Sequence, residues 1–220
     1  MTAPMLIEVW SDVICPWCYI GKRNLETALG EFEHAANIEV VWRSFELDPH
    51  APTTSTNDLA GTLATKYGTD RAGALAMMDR IGGVAKSVGL HYRFDLAQRS
   101  NTFDAHRVIH LARAVDGAAA QEAVKERLFA GYFTEGADIA DRPTLARLAA
   151  DAGLDGEQVT GMLSSDRFST EVRADEARAR ELGITGVPFF LVDEAGGVSG
   201  AQPPDRLLQM LRRTWEKARP

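Results

Sequence analysis

The chain has 220 residues, 45% of them hydrophobic and 25% charged, with a formal net charge of -7. That length and apolar fraction suffice to bury a substantial core in one large domain, or in one domain carrying an insertion. The acidic balance, with no local run of Lys and Arg, excludes a general attraction to nucleic acid or to anionic membranes.

The leader M-T-A-P-M lacks the basic and long apolar regions of a secretory signal. Apolar runs such as Val187 to Val192 are far too short to span a bilayer. A cytoplasmic protein away from membranes is the expectation. A short strand is expected over residues 7–10, followed by a helix over about 16–36 in which Ile20, Leu25, Leu29 and Phe32 recur at helical spacing. At the handover from strand to helix, W-S-D-V-I-C-P-W-C-Y-I-G holds Cys15 and Cys18, the chain's two cysteines. Residues 38–47 alternate as a second strand, and the helix between the two strands makes a parallel β-α-β unit. The run A-P-T-T-S-T-N-D from Ala51 then reads as a loop leading to an N-cap near Asn57 or Asp58.

Helical patterns follow over 59–67, 70–88, 102–115, 118–133, 144–152, 156–163 and 168–182. Breaks at Gly89, Gly117, Gly136, Gly153 and Gly183 separate most of them, and Asp141-Arg142-Pro143 supplies a cap with a proline in the first turn. The block shows no fixed internal period. Strand character returns over 187–192 and, after a turn at 194–197, over 197–199; a last helix runs from about 204 to 217. The order is β-α-β, helical block, β-β-α. It describes an α/β protein, a thioredoxin fold formed by residues 1–50 and 183–220 and carrying a large all-helical insertion, 51–182.

Two cysteines make no disulfide framework, and a lone C-x-x-C pair in a reducing compartment points to redox catalysis or metal binding. His106 and His110 complete a C-x-x-C plus H-x-x-x-H inventory, but the intervening segment is several times longer than in a zinc finger, and no Glu follows His106 as a zincin requires. Redox chemistry is favoured. A free thiol, with a pKa of about 8.5, is only a few per cent ionised near neutrality, so the nucleophile needs a stabilised anion. Cys15, at the first turn of the helix, meets unpaired backbone N–H groups and the positive end of the macrodipole; Cys18, one turn on, can donate its S–H toward Cys15. Pro16 suits the helix start because its missing N–H has no intrahelical partner there. Trp17 either covers part of the site or packs as a large aromatic. Asp12 reads as a turn or capping residue, since a carboxylate tuning the thiol would oppose the helix-end effect.

The blocks C-P-W-C at 15–18, N-T-F-D-A-H-R at 101–107, Y-F-T-E-G-A-D-I at 132–139, G-I-T-G-V-P-F-F at 183–190 and S-G-A-Q-P at 199–203 extend over nearly the whole chain. Through them the chain resembles the DsbA-like thioredoxin-fold oxidoreductases, most closely their FrnE-like branch. The resemblance implies thiol-disulfide exchange, with Cys15 attacking, Cys18 resolving, and a cis-proline loop opposite the pair. Pro188 is then cis, turning the backbone of Val187 toward an extended substrate segment near the sulfurs. Substrates are thiols or disulfides, of protein or small-molecule kind; no cofactor is implied, and glutathione is a candidate reductant.

The competing reading on the same architecture is a kappa-like glutathione transferase or 2-hydroxychromene-2-carboxylate isomerase. Those relatives carry a serine in place of the attacking cysteine and lack the second cysteine, so this chain departs from them at both positions. A third reading is a non-catalytic holdase using an apolar cleft. His106 reads as a core or interface histidine rather than a general base. Tyr132, Phe133, Met77 and Met78 line a cleft or fill the core, and Glu135, Asp138 and Asp141 form a cap-rich loop.

Overall fold

The computed structural model describes residues 4–54 and 58–218; the first residues of the leader and the candidate cap Asn57 lie outside them. Strand β1 (Met5–Ser11) is buried along almost its whole length, as a central strand covered on both faces must be. It pairs in parallel with β2 (Ile38–Ser44), Ile7 facing Val40, and antiparallel with β3 (Phe189–Val192), Ile7 facing Val192. Strand β4 (Gly196–Ser199) closes the sheet in the order β2-β1-β3-β4. The parallel pair needs a crossover, and α1 (Pro16–Gly30) provides it.

Helix α1 stops at Gly30 rather than at residue 36. The chain must turn back toward β2, and it does so through a short 3-10 segment at Ala35–Asn37. Phe32, just past the helix, is buried instead against Trp215 of α8 (Pro204–Ala218), ring edge to face at 5.9 Å.

Between the two strand pairs lie α2 (Leu59–Tyr67), α3 (Arg71–Ser87), α4 (Phe103–Glu135), α5 (Arg142–Asp151), α6 (Gly156–Leu163) and α7 (Ser169–Glu181). Asp58, Asp70, Asp141 and Asp155 cap α2, α3, α5 and α6, each carboxylate accepting a backbone N–H of the first turn. The helices expected over 102–115 and 118–133 are one element, bent where Asp116 and Gly117 leave helical geometry, Gly117 at φ +76°. A glycine there lets the backbone take a conformation that a Cβ disfavours, so the long helix changes direction without ending.

That bend gives α4 two jobs. Its first half lies along β2, where Arg113 pairs with Glu39 and His110 Nε2 sits 3.1 Å from Ser44 Oγ. Gln121, just past the bend, accepts the Trp42 N–H and donates to the Trp42 carbonyl, both at 3.1 Å, and so satisfies the outer edge of β2. The second half continues the core: Cys18 and Tyr19 of α1 share one buried apolar cluster with Phe129, Tyr132 and Phe133. Helix α7 packs on the sheet itself, its Asp175 carbonyl accepting from Trp10 Nε1 at 3.0 Å and its carboxylate from the Ser44 N–H at 2.9 Å. The helical layer of the thioredoxin unit therefore includes an element from within residues 51–182.

Candidate active site

Cys15 is the N-cap residue of α1, with Pro16 at the first helical position. Its backbone N–H donates to the Asp12 carbonyl at 3.1 Å, and its own carbonyl accepts from the Cys18 N–H at 3.0 Å. Both cysteines are free and buried, Cys15 3% exposed and Cys18 fully enclosed. The Cys15 thiol donates toward the Val187 carbonyl, Sγ to O 3.6 Å. The peptide from Val187 to Pro188 is cis. Gly21 allows this loop to approach α1 closely: a Cβ there would lie 3.0 Å from Pro188 Cγ and 3.2 Å from Phe190 Cζ.

Burial pushes the Cys18 thiol well above its ordinary range, and the hydrogen bond and charge of Cys15 add to the effect, with Lys125 opposing it. Cys18 is thus a thiol at neutral pH, and the two sulfurs differ in kind: one at a helix terminus facing a backbone carbonyl, one enclosed in the core.

Behind the pair lies a buried polar group of residues. Asp12 is fully buried, and its Oδ2 accepts the Leu47 N–H at 2.7 Å, tying the β1–α1 turn to the end of β2. Its other carboxylate oxygen lies 3.4 Å from His106 Nε2. Burial holds the imidazole of His106 below its usual range despite that carboxylate, so it is neutral at pH 7. Asp12 stands in the β1–α1 turn as expected, its carbonyl accepting the Cys15 N–H, and its buried carboxylate tethers that turn to Leu47. Lys125, on the second half of α4, is completely buried; its Nζ lies 4.9 Å from the centre of the Phe129 ring and 5.5 Å from that of Trp42. Burial pushes its ammonium down to about 8, with the Asp12 carboxylate among the groups that oppose the shift.

In front of the pair is a cavity of about 230 Å³. Cys15, Pro16, Trp17 and Val187 line it from the thioredoxin unit, and Met77, Met78, Tyr132 and Phe133 line it from the helices. Trp17, 40% exposed, stands at the surface beside it rather than in the core. Tyr92 reaches across from the segment between α3 and α4, its hydroxyl donating to the Pro16 carbonyl at 2.7 Å and its ring stacking on Phe133 at 4.5 Å. Burial raises the Tyr92 phenol, which stays a neutral donor. Glu135 pairs with Arg127 at 2.8 Å, Asp138 accepts the Ala140 N–H and Asp141 caps α5, as the cap-rich loop reading holds. Sequence reasoning does not single out Lys125 or Tyr92; helical spacing reports burial of Lys125's neighbours but not what its amine faces.

A C-x-x-C pair at the strand-to-helix junction, a cis proline before the third strand and the order β2-β1-β3-β4 agree with the match of residues 6–212 to the model of the DsbA-like thioredoxin domain. The chain belongs to the DsbA-like thioredoxin family. A probable DsbA oxidoreductase from Streptomyces coelicolor is 41% identical, superposes with a TM-score of 0.89, and is matched over 98% of this chain and 92% of its own. The cytosolic disulfide reductase DsbM of Pseudomonas aeruginosa, solved with GSH, is 21% identical (TM-score 0.66, 96% of this chain and 99% of that one). A 2-hydroxychromene-2-carboxylate isomerase shares the fold at 15% identity (TM-score 0.65, 97% and 96%). Among the described residues of this family member no helix is long and apolar enough to cross a membrane.

Proposed function

We propose that this DsbA-like protein is a thiol-disulfide oxidoreductase in which Cys15 attacks and Cys18 resolves. The observation that carries the reading is the placement of Cys15 as the N-cap of α1, its sulfur 3.6 Å from the Val187 carbonyl beside Pro188. An N-cap side chain is where an acceptor meets the N–H groups of the second and third helical positions. As a thiol, Cys15 makes no such bond and turns its S–H toward Val187. Loss of that proton converts the sulfur into an acceptor for the helix terminus, which stabilises the anion that performs exchange.

In the reducing direction the Cys15 thiolate attacks one sulfur of a substrate disulfide. A Cys15–substrate bond forms, the substrate S–S bond breaks and its distal sulfur leaves with the electron pair, taking up a proton. Cys18 loses its proton and attacks Cys15; the mixed disulfide breaks, the Cys15–Cys18 bond forms, and the substrate departs with its second sulfur reduced. The two electrons come from the enzyme dithiol. The reverse sequence oxidises a substrate dithiol. Pro16, Trp17, Val187 and Pro188 are the substrate-contacting residues of this proposal, Trp17 from the cavity rim and Val187 through its backbone.

The substrates are thiols or disulfides, of protein or small-molecule kind, with glutathione as the candidate reductant and no resident cofactor. A cytoplasmic setting belongs to this reading, since a lone C-x-x-C pair with no disulfide framework suits a reducing compartment. The test is turnover: purified protein reduces a small aromatic disulfide with glutathione as reductant, and Cys15→Ser abolishes the rate. Undiminished conjugation of an electrophile to glutathione by Cys15→Ser and Cys18→Ser, with no disulfide reduction by the wild type, would replace this reading with the transferase.

A further inference from the structure

We propose that Lys125, supplied by the helical insertion, is the group that takes up the second proton when the Cys15–Cys18 pair is reduced, leaving Cys15 as a thiolate and an ammonium buried against the rings of Trp42 and Phe129. The proposal rests on the exchange reading above.

Three cations are buried among the described residues: Lys22, Arg107 and Lys125. Lys22 is ringed by Glu26, Glu122 and Glu126, the last two at 2.5 and 2.7 Å. Arg107 pairs with Asp104 and donates to backbone carbonyls of Met162, Ser165 and Arg167. Lys125 Nζ has no hydrogen-bond partner among the described residues and lies over the faces of Phe129 and Trp42. Two rings offset part of the desolvation of an ammonium and leave its donors unmet. A methionine or leucine would fill that space with less strain on the fold. A buried amine without a structural partner belongs where its protonation is used.

Its placement is fixed from both sides. Gln121, one turn earlier on α4, is bonded twice to the Trp42 backbone, and Phe129, one turn later, stacks on Tyr19 at 4.8 Å, the residue after Cys18. The ionisable groups that act on Lys125 are Cys18 and Cys15 from α1, Asp12 from the β1–α1 turn and Glu122 from α4 itself; the two carboxylates act in both redox states, and Cys18 stays a neutral thiol, so what reduction changes is the charge on Cys15. Lys125 in turn acts on His106, which burial keeps neutral, and that part of the cluster adds no competing positive charge. In the disulfide, neither sulfur carries charge, and burial favours the free amine. In the dithiol, a thiolate on Cys15 restores a negative charge that favours the ammonium.

A substrate dithiol gives two electrons and two protons; its sulfurs join in a disulfide and the Cys15–Cys18 bond breaks. One proton goes to the Cys18 sulfur and the other to Lys125 Nζ, so a thiolate appears at Cys15 with no net release of protons to solvent.

The experiment is a pH-stat measurement on the oxidised wild-type protein at pH 7.5, reduced by dithiothreitol while thiolate absorbance at 240 nm is followed. The expected result is one thiolate formed per molecule and close to zero protons released. One proton released per thiolate formed, or no thiolate formed, overturns the assignment. Lys125→Met provides the second reading, with Cys15 alkylation at pH 6.5 expected to fall about tenfold and dithiothreitol to reduce the pair about tenfold less readily, the effect of roughly one unit of lost charge coupling. Lys125→Arg keeps the positive charge but cannot deprotonate; it should retain the alkylation rate while changing the proton count. A Lys125→Met protein equal to wild type in both readouts also overturns the proposal. If wild-type protein exchanges disulfides normally in either case, the exchange reading stands and Lys125 alone is reassigned; if it exchanges none, the exchange reading fails first.

Discussion

Replacing Tyr92 with phenylalanine removes one oxygen and little else. The ring keeps its stack on Phe133 at 4.5 Å and its contact with Tyr19 at 6.1 Å, while the 2.7 Å hydrogen bond to the Pro16 carbonyl is lost. A partly buried hydrogen bond of this kind contributes about 1 kcal/mol to stability. The same bond also acts on the site. The Pro16 carbonyl belongs to the peptide whose N–H is that of Trp17, at the second helical position, where an N-cap acceptor is served. Hydrogen bonding at one end of a peptide polarises the other by about 10–30%. If the helix terminus stabilises the Cys15 anion by at most about 2 kcal/mol, the loss at sulfur is about 0.2–0.6 kcal/mol. Tyr92→Phe is therefore expected to unfold in urea with about 1 kcal/mol less stability at unchanged m, and to alkylate Cys15 up to about threefold more slowly at neutral pH. Unchanged stability together with unchanged reactivity would show that the insertion does not grip the C-P-W-C turn. A loss of reactivity beyond about tenfold would mean that the hydroxyl meets the reacting atoms directly.

Gln121→Ala leaves the N–H and C=O of Trp42 unmet on the outer strand, and thermal or urea unfolding is expected to show a loss of about 2–4 kcal/mol; a loss below about 1 kcal/mol would mean that solvent replaces the glutamine. Glu46 has a carboxyl pushed up to about 7, by burial first and with Arg173 opposing it. Its unfolded counterpart ionises near pH 4.5, so the native state holds the extra proton between about 4.5 and 7, and stability falls as pH rises through that window. Glu46→Gln should flatten that part of the stability profile measured by urea unfolding; a profile of unchanged slope would refute the assignment.

Much of the frame was legible because local chemistry decides it. Aspartates at 58, 70, 141 and 155 bond the first-turn N–H groups of their own helices, a relationship internal to a few residues. The C-P-W-C pair at the strand-to-helix junction and the proline ahead of β3 are likewise placed by their neighbours in sequence. Helix α1 was expected to run too far because E-F-E-H-A-A-N has helical character, and what stops it is the burial of Phe32 on Trp215, more than 180 residues away. The two helices expected on either side of Gly117 are one bent element because both halves have partners, β2 for the first and α1 for the second. The polar side of the site was not legible for the same reason. Lys125 stands in A-V-K-E-R-L, where a lysine reads as solvated; only the approach of α4 to Cys18 and Trp42 encloses it. Asp12 is the turn residue it reads as; only the end of β2 brings the Leu47 N–H to its carboxylate.

The division of roles between the two sulfurs is tested most directly by trapping the exchange intermediate. Single variants Cys15→Ser and Cys18→Ser are incubated with an oxidised peptide, quenched with acid and weighed intact by mass spectrometry. Cys18→Ser is expected to accumulate a mixed disulfide through Cys15, because the resolving thiol is gone, while Cys15→Ser, whose remaining thiol is enclosed and held protonated, traps little. Equal trapping by the two variants, or trapping by Cys15→Ser alone, would contradict the assignment of Cys15 as the attacking group.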